Sequence, residues 1–323
     1  MTEHSPDISI ILLTYNGDLY LVEVLASIFE QKTQFRYEVL VIDSGSSDRT
    51  LAILKDYPVR TIQISNATFG HGRTRNLGVQ KTFGQYVVFL TQDATPASQN
   101  WLDNLIRPIA EDERVAGAYS RQIPRLDCNP IEARDIGLGA GPLSIVKRID
   151  FQDPIQKRDY GAWQSRFISF SNVSSCIRRD VLERLPFSET IVMVEDQEWC
   201  KRAIEAGYGV VYEASSVVYH SHNHSLRMIY KRHFDYGVSL REFSFLSMTV
   251  KSILVYMIFE AIRDIAFISR QKRGAFSTLE WVLKAPLIRF AMRYGLYSGL
   301  HSTIKAPQVN TSHIVSDQSR LSE

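Results

Sequence analysis

The sequence predicts an α/β fold in which a mainly parallel sheet is flanked by helices and followed by a C-terminal helical extension. Over the first 121 residues, short runs of β-branched residues and leucine alternate with segments of helical periodicity. Such alternation is typical of right-handed β-α-β units, which build parallel sheets. Polar clusters directly follow three of these runs, at the sheet edge where open α/β folds bind ligands. After Phe243 the chain becomes basic and aromatic, which indicates a separate extension.

The predicted strands are apolar runs of the kind found in strands that are buried on both faces. In order, they are Ile8–Leu13, Glu38–Ile42, Val59–Ile64, Gln85–Leu90, Val115–Arg121, Ile168–Ile177 and Val210–Tyr219. Apolar residues three and four positions apart predict the helices between them. These are Leu19–Gln31, Leu51–Asp56, Arg73–Lys81, Trp101–Ala110, Asp180–Leu185 and Asp196–Ala206. The segment Leu126–Tyr160, with glycines in its middle, is predicted to be a long irregular loop that covers a site.

Composition and charge narrow the class of protein. The chain has 323 residues, of which 45% are hydrophobic and 22% charged, as in ordinary globular proteins. Its 37 basic and 35 acidic residues leave a net charge of +2, which gives no indication of a nucleic-acid partner. Three scattered cysteines without a Cys-x-x-Cys pair argue against a disulfide framework and a structural zinc module. We therefore expect reduced thiols in a cytosolic compartment.

The sequence also argues against export and against a membrane-spanning helix. Met1–Ile8 is polar and carries two acids, unlike a secretory signal. A spanning helix needs about 18 or more apolar residues with few charges. The best candidate, Phe243–Ile268, is interrupted by four charged residues, so we do not expect it to span a bilayer.

Two loops at predicted strand ends combine polar residues with glycine. Asp43–Thr50 follows a buried strand, and its first carboxylate can accept hydrogen bonds from a nucleobase or ribose. The alternative is a plain turn in which Ser47 or Asp48 caps the next helix. Phe69–Gly78 has two glycines and two arginines at a helix start, which fits diphosphate binding, and a glycine-rich loop with solvated arginines is the alternative. It is not a dinucleotide fingerprint, because Arg75 stands where the third glycine belongs.

Three further motifs carry carboxylates or histidines. Asp93 follows an apolar strand and can hold Mg²⁺ or Mn²⁺ together with substrate phosphates, or it can form an Asx turn. The acids of Glu195–Trp199 start an amphipathic helix, where they either complement the helix dipole or include a general base. His220, His222 and His224 alternate after a strand and share one face if the strand continues. They are either metal or phosphate ligands or ordinary surface histidines.

Taken together, these motifs resemble those of the family 2 glycosyltransferases, which have the GT-A nucleotide-diphospho-sugar transferase fold. Within that family the chain is similar to bacterial rhamnosyltransferases, over residues 7–240. The resemblance rests on six motifs in the family's order: Thr14–Asn16, Val41–Asp48, Phe69–Asn76, Thr91–Ala94, Glu195–Trp199 and His220–His224. Each motif is common by itself, whereas their order is specific.

The resemblance implies a nucleotide-sugar donor and a divalent cation. The residues that it assigns to the donor are Thr14, Asn16, Asp43, Ser44, Gly45, Gly72, Arg73, Asn76, Gln92 and Asp93. Asp93 matches the last acid of an Asp-x-Asp metal motif, and His222 is the expected second ligand for Mg²⁺ or Mn²⁺. Thr91 stands here in place of the first acid of that motif. Arg73 and Arg75 are therefore candidates to supply part of the positive charge that the ion would otherwise provide.

The resemblance also implies an inverting transferase. Asp196 matches the catalytic base, and Glu195 and Trp199 are expected to contact the acceptor. A base on the face opposite the leaving diphosphate inverts the anomeric centre, by the logic of inverting glycosidases. The implied reaction moves L-rhamnose from dTDP-rhamnose to a saccharide or polyprenyl-linked acceptor in the synthesis of a cell-surface polysaccharide such as O-antigen. Two alternatives remain, a sugar nucleotidyltransferase and an inactive nucleotide-sugar-binding partner in a membrane assembly.

The chain is expected to divide into three parts. They are a catalytic domain over residues 1–240, an amphipathic helical extension over 241–305 and a disordered tail over 306–323. Ten basic and five acidic residues follow Phe243, a net charge of +5, against −3 for the remainder. Basic helices with aromatic residues suit the surface of an anionic membrane, and a homodimer interface is the alternative. We expect a cytoplasmic protein at the inner face of the cell membrane.

Overall fold

The computed structural model describes residues 5–139, 141–243, 248–271 and 274–303, and within these ranges the chain forms one sheet with helices packed against both faces. The strands are β1 (Ile8–Thr14), β2 (Tyr37–Asp43), β3 (Arg60–Gln63), β4 (Tyr86–Thr91), β5 (Thr95–Pro96), β6 (Val115–Ile123), β7 (Ile145–Lys147), β8 (Ser174–Arg178) and β9 (Gly209–Tyr219). The helices are α1 (Leu21–Phe29), α2 (Thr50–Leu54), α3 (His71–Gln80), α4 (Trp101–Glu111), α5 (Pro130–Gly139), α6 (Pro154–Phe167), α7 (Arg179–Arg184), α8 (Glu195–Glu205), α9 (Leu226–Phe243), α10 (Val250–Ser269) and α11 (Ala275–Leu300).

The sheet has the strand order β3-β2-β1-β4-β8-β6-β9-β5, and β7 also pairs with β9. The first four strands of this order are parallel, as the sequence predicts. Beyond β4 the sheet is mixed rather than mainly parallel, because β8 runs antiparallel to both of its neighbours and β5 and β7 run antiparallel to β9. The regular β-α-β alternation ends before β8, so no crossover helix forces β8 to be parallel.

Strand register brings the predicted donor motifs to one edge of the sheet. Thr14 pairs with Asp43 at the ends of β1 and β2, and Leu13 pairs with Thr91 at the end of β4. Because parallel strands end on the same side, the loops that follow β1, β2 and β4 are neighbours.

Alternate residues of β1 explain why its sequence is apolar throughout. Ile10 and Leu12 point into the core under α1 and α4, whereas Ile11 points into the core on the opposite face. All three side chains are completely buried. A central strand with helices on both sides has no solvent face, so it shows no polar alternation.

The prediction of a long loop over Leu126–Tyr160 is wrong, because the segment contains α5, β7 and the first half of α6. Both helices start with a capping residue followed by proline, a pattern typical of helix N-termini. The Asn129 side chain accepts a hydrogen bond from the Glu132 amide at 3.0 Å, and the Asp153 side chain accepts one from the Ile155 amide at 2.8 Å. The glycines that suggested a loop stand at the end of α5 and beyond it.

A buried ion network joins α5 to α10 and α11. Arg134 donates to Glu260 at 2.9 Å and to Asp264 at 2.6 Å, and Arg289 donates to Asp264 at 2.6 Å and to both oxygens of Asp135 at 2.8 Å. This network explains the two acids within the apolar run of α10, Glu260 and Asp264, which are buried and paired inside the protein. Among the described helices, none combines the length and the apolar character that crossing a bilayer requires. The predicted tail, 306–323, lies outside the described residues.

Candidate active site

The loops after β1 and β2 are organised around the buried carboxylate of Asp43. Thr14 Oγ1 donates to Asp43 Oδ2 at 3.0 Å, and the amides of Gly45 and Ser46 donate to Oδ1 at 3.0 and 2.9 Å. Ser46 Oγ is a fourth donor. Gly45 has φ +86°, a left-handed conformation that glycine adopts readily. Asp43 therefore shapes the loop, and direct contact between its carboxylate and a nucleobase requires that one of these donors gives way.

A second set of bonds ties the two loops to each other and to β4. The Ser44 amide donates to Thr14 O at 2.9 Å, and Asn16, at φ +48°, accepts from the Ser47 amide at 2.9 Å. Gln92 holds Tyr15 at two points, because its Oε1 accepts from the Tyr15 amide at 2.8 Å and its Nε2 donates to the Tyr15 carbonyl at 3.1 Å. The Tyr15 ring is 47% exposed at this edge, and sequence reasoning did not single it out.

Asp93, His220 and His222 form a cluster with one carboxylate and two imidazoles. His220 Nε2 lies 3.6 Å from Asp93 Oδ1, and His222 Nδ1 lies 3.7 Å from Asp93 Oδ2. The three ligand atoms lie within 4.8 Å of one another, which suits a divalent cation. The structure thus brings together the predicted ligands Asp93 and His222 and adds His220 to them. The carbonyl of Asp93 is in turn fixed by the Arg125 guanidinium at 3.0 Å.

The environment keeps these ligands in the protonation states that a cation needs. Burial opposes ionisation of Asp93, but His220 and His222 outweigh it and hold the pKa of Asp93 below its usual value. Burial and the neighbouring His220 lower the pKa of His222 to about 4, so His222 is neutral at pH 7. Gln122 Oε1 lies 3.0 Å from Nδ1 of His220, and an acceptor there leaves Nε2 free to bind a metal. Sequence reasoning missed Gln122 and Arg125.

Asp196 stands in the first turn of α8, after a strained residue. Val194 has φ +60°, which is rare for a β-branched side chain and often marks a functional turn. The Asp196 carboxylate accepts from the Asn172 amide at 3.0 Å and from the Gln197 amide at 2.8 Å. Burial, with the adjacent Glu195, raises the pKa of Asp196 to about 7. A carboxylate with this pKa can accept a proton near neutral pH.

Glu195 and Trp199 do not face an acceptor, contrary to the prediction. Glu195 is buried against the guanidinium of Arg75, which with His71 outweighs burial and holds the pKa of Glu195 below its usual value. The Trp199 ring is completely buried, and its Nε1 donates to the Leu185 carbonyl at 3.0 Å. On α8 these two positions point into the core, and four-residue spacing keeps them on one face.

The predicted diphosphate loop packs against another loop of the protein. Asn76 donates to the Phe187 carbonyl at 2.9 Å and accepts from the Phe187 amide at 3.0 Å. Arg73 Nε pairs with Glu189 at 3.3 Å, and a Cβ on Gly72 would collide with the carbonyl of Ser188. Asn76 and Nε of Arg73 are thus engaged with the segment 187–189, and Gly72 packs against it. That Gly72, Arg73 and Asn76 bind the donor stays a prediction.

Helix α9 links the histidine cluster to Asp196. Burial chiefly lowers the pKa of His222 and of His71, and the charge of Arg232 adds to this. One turn further, Tyr236 is half-buried, and its pKa is raised chiefly by burial and also by the charge of Asp196. Ser239 Oγ, also on α9, accepts from the amide of Met193, three residues before Asp196, at 3.0 Å. Four residues along an α-helix span about 6 Å, so α9 forms one wall that runs from the cation cluster to the carboxylate. Sequence reasoning saw this segment as basic and aromatic and did not identify either residue as part of the site.

The sequence model of glycosyl transferase family 2 matches residues 9–185, which include Asp43 and Asp93. The chain belongs to this family. Its relatives include the O-antigen chain rhamnosyltransferase RfbN of Salmonella typhimurium, 36% identical over 234 residues, which are 72% of this chain and 71% of the relative. The O-antigen chain rhamnosyltransferase WbaN of Salmonella anatum is 32% identical over 235 residues, 72% of each chain.

Among solved structures, the chain has a fold similar to that of a mannosyltransferase. The mannosyltransferase PcManGT from Pyrobaculum calidifontis, in complex with GDP-Man and Mn²⁺, superposes with a TM-score of 0.58 at 16% identity. The match covers 94% of this chain and 89% of that one. The predicted GT-A fold and the family assignment are thus confirmed, and the chain is a glycosyltransferase of the hexosyltransferase type.

Proposed function

We propose that this family 2 glycosyltransferase moves L-rhamnose from dTDP-L-rhamnose, with inversion, to a saccharide or polyprenyl-linked acceptor of a cell-surface polysaccharide. One observation carries the mechanism: α9 connects a carboxylate of pKa about 7, Asp196, to a cluster that suits a divalent cation, at Asp93, His220 and His222. The identity to two O-antigen rhamnosyltransferases supports the donor sugar and the pathway.

The proposed reaction uses Asp196 at one end of α9 and the cation cluster at the other. Asp196 accepts the proton of an acceptor hydroxyl, and the hydroxyl oxygen forms a bond to the anomeric carbon. The bond from that carbon to the diphosphate oxygen breaks, and the nucleoside diphosphate leaves with the electron pair. Because the base and the leaving group lie on opposite faces of the sugar, the anomeric configuration inverts. Near the leaving group Arg232 adds positive charge, which stabilises the developing anion.

The cation site fits Mn²⁺ or Mg²⁺. Asp93 supplies an oxygen ligand and the neutral imidazoles of His220 and His222 supply nitrogen ligands. Imidazole ligands favour a transition metal, so we expect Mn²⁺ to support more activity than Mg²⁺. When bound, such an ion neutralises charge on the departing diphosphate. Tyr15, held by Gln92 at the edge of the sheet, offers an exposed aromatic face to the nucleobase.

A panel of sugar nucleotides tests this proposal. Purified protein is assayed for donor hydrolysis with dTDP-rhamnose, UDP-sugars and GDP-sugars, in Mn²⁺, Mg²⁺ or EDTA. We expect slow, metal-dependent turnover of dTDP-rhamnose that Asp196→Asn abolishes, whereas Asp56→Asn, an exposed aspartate on the surface, leaves it unchanged. Selective turnover of UDP- or GDP-sugars would overturn the rhamnosyl assignment. Nucleotide binding without turnover in any condition would favour the inactive partner, and consumption of a nucleoside triphosphate would favour the nucleotidyltransferase.

We also propose that α10 and α11 rest on the anionic inner face of the cell membrane. Each helix carries an exposed apolar stripe at helical spacing. The stripes are Val250, Leu254, Val255, Ile258, Phe259 and Ile262 on α10, and Phe276, Leu279, Leu283, Leu287 and Phe290 on α11. The net charge of +5 after Phe243 complements anionic lipid. This location would place the active site beside a polyprenyl-linked acceptor.

Vesicle sedimentation tests the membrane proposal. We expect binding to vesicles of anionic phospholipid that salt weakens, and loss of that binding in Ile258→Glu/Ile262→Glu. Leu126→Glu, at an exposed apolar position outside these helices, is the control. Equal binding by both variants would contradict the proposal, and a wild-type dimer that Ile258→Glu/Ile262→Glu dissociates would assign the stripes to a second copy of the chain.

A further inference from the structure

A cavity of about 650 Å³ lies between α5, α9, α11 and the histidine loop that follows β9. We propose that this cavity binds a sugar unit of the acceptor, with Trp281 as its stacking platform and Glu132 as its hydroxyl-binding carboxylate. The inference rests on the proposed function, because it names where the acceptor of that reaction sits. Its volume is typical of small-molecule sites, which span about 300–1,000 Å³.

The cavity adjoins the chemistry on one side. His222 belongs both to the cavity wall and to the cation cluster, and Arg232 lines the same wall from α9. A ligand in the cavity therefore has one end beside the cation cluster, and so beside the donor to which an acceptor hydroxyl must be presented.

The lining combines an aromatic face with hydrogen-bonding groups, as a sugar ring requires. Trp281 is half-buried, with the Lys284 ammonium 4.9 Å from its ring, and apolar Ile288 and Met292 lie along the same helix. Glu132 lines the cavity from α5. Aromatic rings cover the C–H faces of a sugar, and the lone pairs of a carboxylate accept its hydroxyls.

Charged groups of both signs line the cavity. Glu132 and Asp135 line it from α5, and Arg232 and Lys284 line it from α9 and α11. Asp135 is paired with Arg289, so the lining is not the set of cations that a dedicated anion site presents. The hydroxyl groups of a saccharide can donate to the acids and accept from the cations.

The two walls of the cavity are held together by the buried ion network. Asp135 on the α5 wall receives two hydrogen bonds at 2.8 Å from Arg289, which follows the lining residue Ile288 on α11. At the other end, Asn129 Nδ2 donates to the carbonyl of His222 at 3.2 Å and the Asn129 amide donates to Asn223 Oδ1 at 2.9 Å. The cavity is thus a built site, and it replaces Glu195 and Trp199 as the place where the acceptor is recognised.

Tryptophan fluorescence of the full chain tests the site without an assay for transfer. Trp101 and Trp199 are completely buried in the core, so Trp281 and the exposed Trp163 are the two rings that a ligand can reach. The neutral probes are the methyl glycosides of rhamnose, mannose, galactose, glucose and N-acetylglucosamine. Inorganic diphosphate is the anionic probe. We expect at least one glycoside to change the emission of wild type and Trp163→Phe, and to leave Trp281→Phe unchanged.

Kinetics with the responding glycoside then separate acceptor binding from catalysis. We expect Glu132→Gln to raise the acceptor KM by about tenfold or more, the loss usual for a hydrogen bond to a charged group, with the donor KM unchanged. Trp281→Leu should also raise the acceptor KM. Trp281→Phe, which keeps an aromatic ring, should raise the acceptor KM less than Trp281→Leu does. Trp163→Leu, at an exposed tryptophan outside the cavity, is the control and should leave both KM values unchanged.

Each outcome decides a different claim. A wild-type acceptor KM in Glu132→Gln and Trp281→Leu, or no glycoside response in a preparation that hydrolyses the donor, would overturn the acceptor site. A Trp281 response to inorganic diphosphate instead of glycosides would also overturn it and would assign the cavity to an anion. Absence of donor hydrolysis would count against the proposed function alone, because the fluorescence response does not depend on turnover.

Discussion

Two parts of the molecule are held in place in different ways. One part is the set of loops at the ends of β1, β2 and β4, and the other is the helices α5, α10 and α11. The loops are fixed by hydrogen bonds between side chains and backbone, such as those that Gly45 and Ser46 donate to Asp43. The helices are joined by buried ion pairs such as Arg289 with Asp135, 154 residues apart in the chain. We call these the loop side and the helix side.

The two sides therefore depend on different contacts for their correct position. On the loop side, the partners Thr14 and Asp43 end adjacent strands, so the sheet itself brings them together. On the helix side, each buried charge depends on a partner from a distant segment, and an unpaired charge in the core is costly. The site is thus assembled from a part that follows from local strand pairing and a part that forms only when distant helices dock.

The largest expected effect comes from Asp196, which stands at the start of α8, outside both sides. Asp196→Asn should lower turnover by about 10²–10⁴-fold, the usual contribution of a general base. Folding should be retained, because asparagine has nearly the same shape and the change affects hydrogen bonds worth about 1 kcal/mol. Turnover is measured with saturating donor, and the free energy of unfolding with urea. Full activity in this variant would show that another group accepts the proton.

The next effect breaks the helix side alone. Arg289→Met removes the bonds to Asp135 and one of the two arginines that pair with Asp264, so we expect a loss of about 3–5 kcal/mol in the free energy of unfolding. Arg158→Met, which removes an exposed pair with Asp159, is the matched control and should cost less than about 1 kcal/mol. Equal costs for the two variants, measured by urea unfolding, would mean that the network does not hold α5 to α11.

What the sequence could predict follows the same division. The strands and the strand-end motifs on the loop side were predictable, because period and turn chemistry are local signals and parallel pairing brings strand ends together. Asp196 was found through the family resemblance. The acceptor residues were predicted wrongly: Glu195 and Trp199 are close to Asp196 in sequence, but helix geometry turns them into the core.

The missed residues lie where no local pattern could reveal them. Arg232 and Tyr236 enter the site only because α9 docks across it, and that docking depends on α11. The helix α5 was hidden by the glycines at its end, although Asn129 and Pro130 are a recognisable start signal. Long-range packing of the last helices decided the rest of the site.

A smaller effect tests that dependence of α9 on α11. A Cβ on Gly299 would collide with the carbonyl of Phe234, so Gly299→Ala should force the helices apart and cost about 1–3 kcal/mol. Turnover should fall as well, because Arg232 and Tyr236 move with α9. In Gly161→Ala the new Cβ meets open space among the described residues, so this helical control should gain about 0.5–1 kcal/mol. Thermal unfolding and donor hydrolysis of both variants check the pair.

The last prediction concerns pH, where activity and stability should respond in opposite directions. The folded pKa of Asp196 is raised from 3.8 to about 7, chiefly by burial and then by Glu195. Turnover needs the carboxylate, so it should rise about tenfold per pH unit below 7 and level off above it. The folded state binds this proton more tightly than the unfolded state does, so the contribution of Asp196 to stability is present below pH 4 and is lost as pH rises to 7.

Two comparisons isolate this effect. The pKa of His222 is lowered to about 4, chiefly by burial, so its titration lies below the window in which turnover changes. Asp196→Asn should flatten the residual turnover between pH 5.5 and 8 and should remove part of the fall in unfolding free energy between pH 5 and 7.5. Donor hydrolysis and urea unfolding at matched pH measure both. A wild-type turnover profile that is flat over this range would mean that proton transfer to Asp196 does not limit the reaction. If the unfolding free energy of the wild type rises with pH relative to that of Asp196→Asn, the carboxylate is ionised at a far lower pH than its buried surroundings imply.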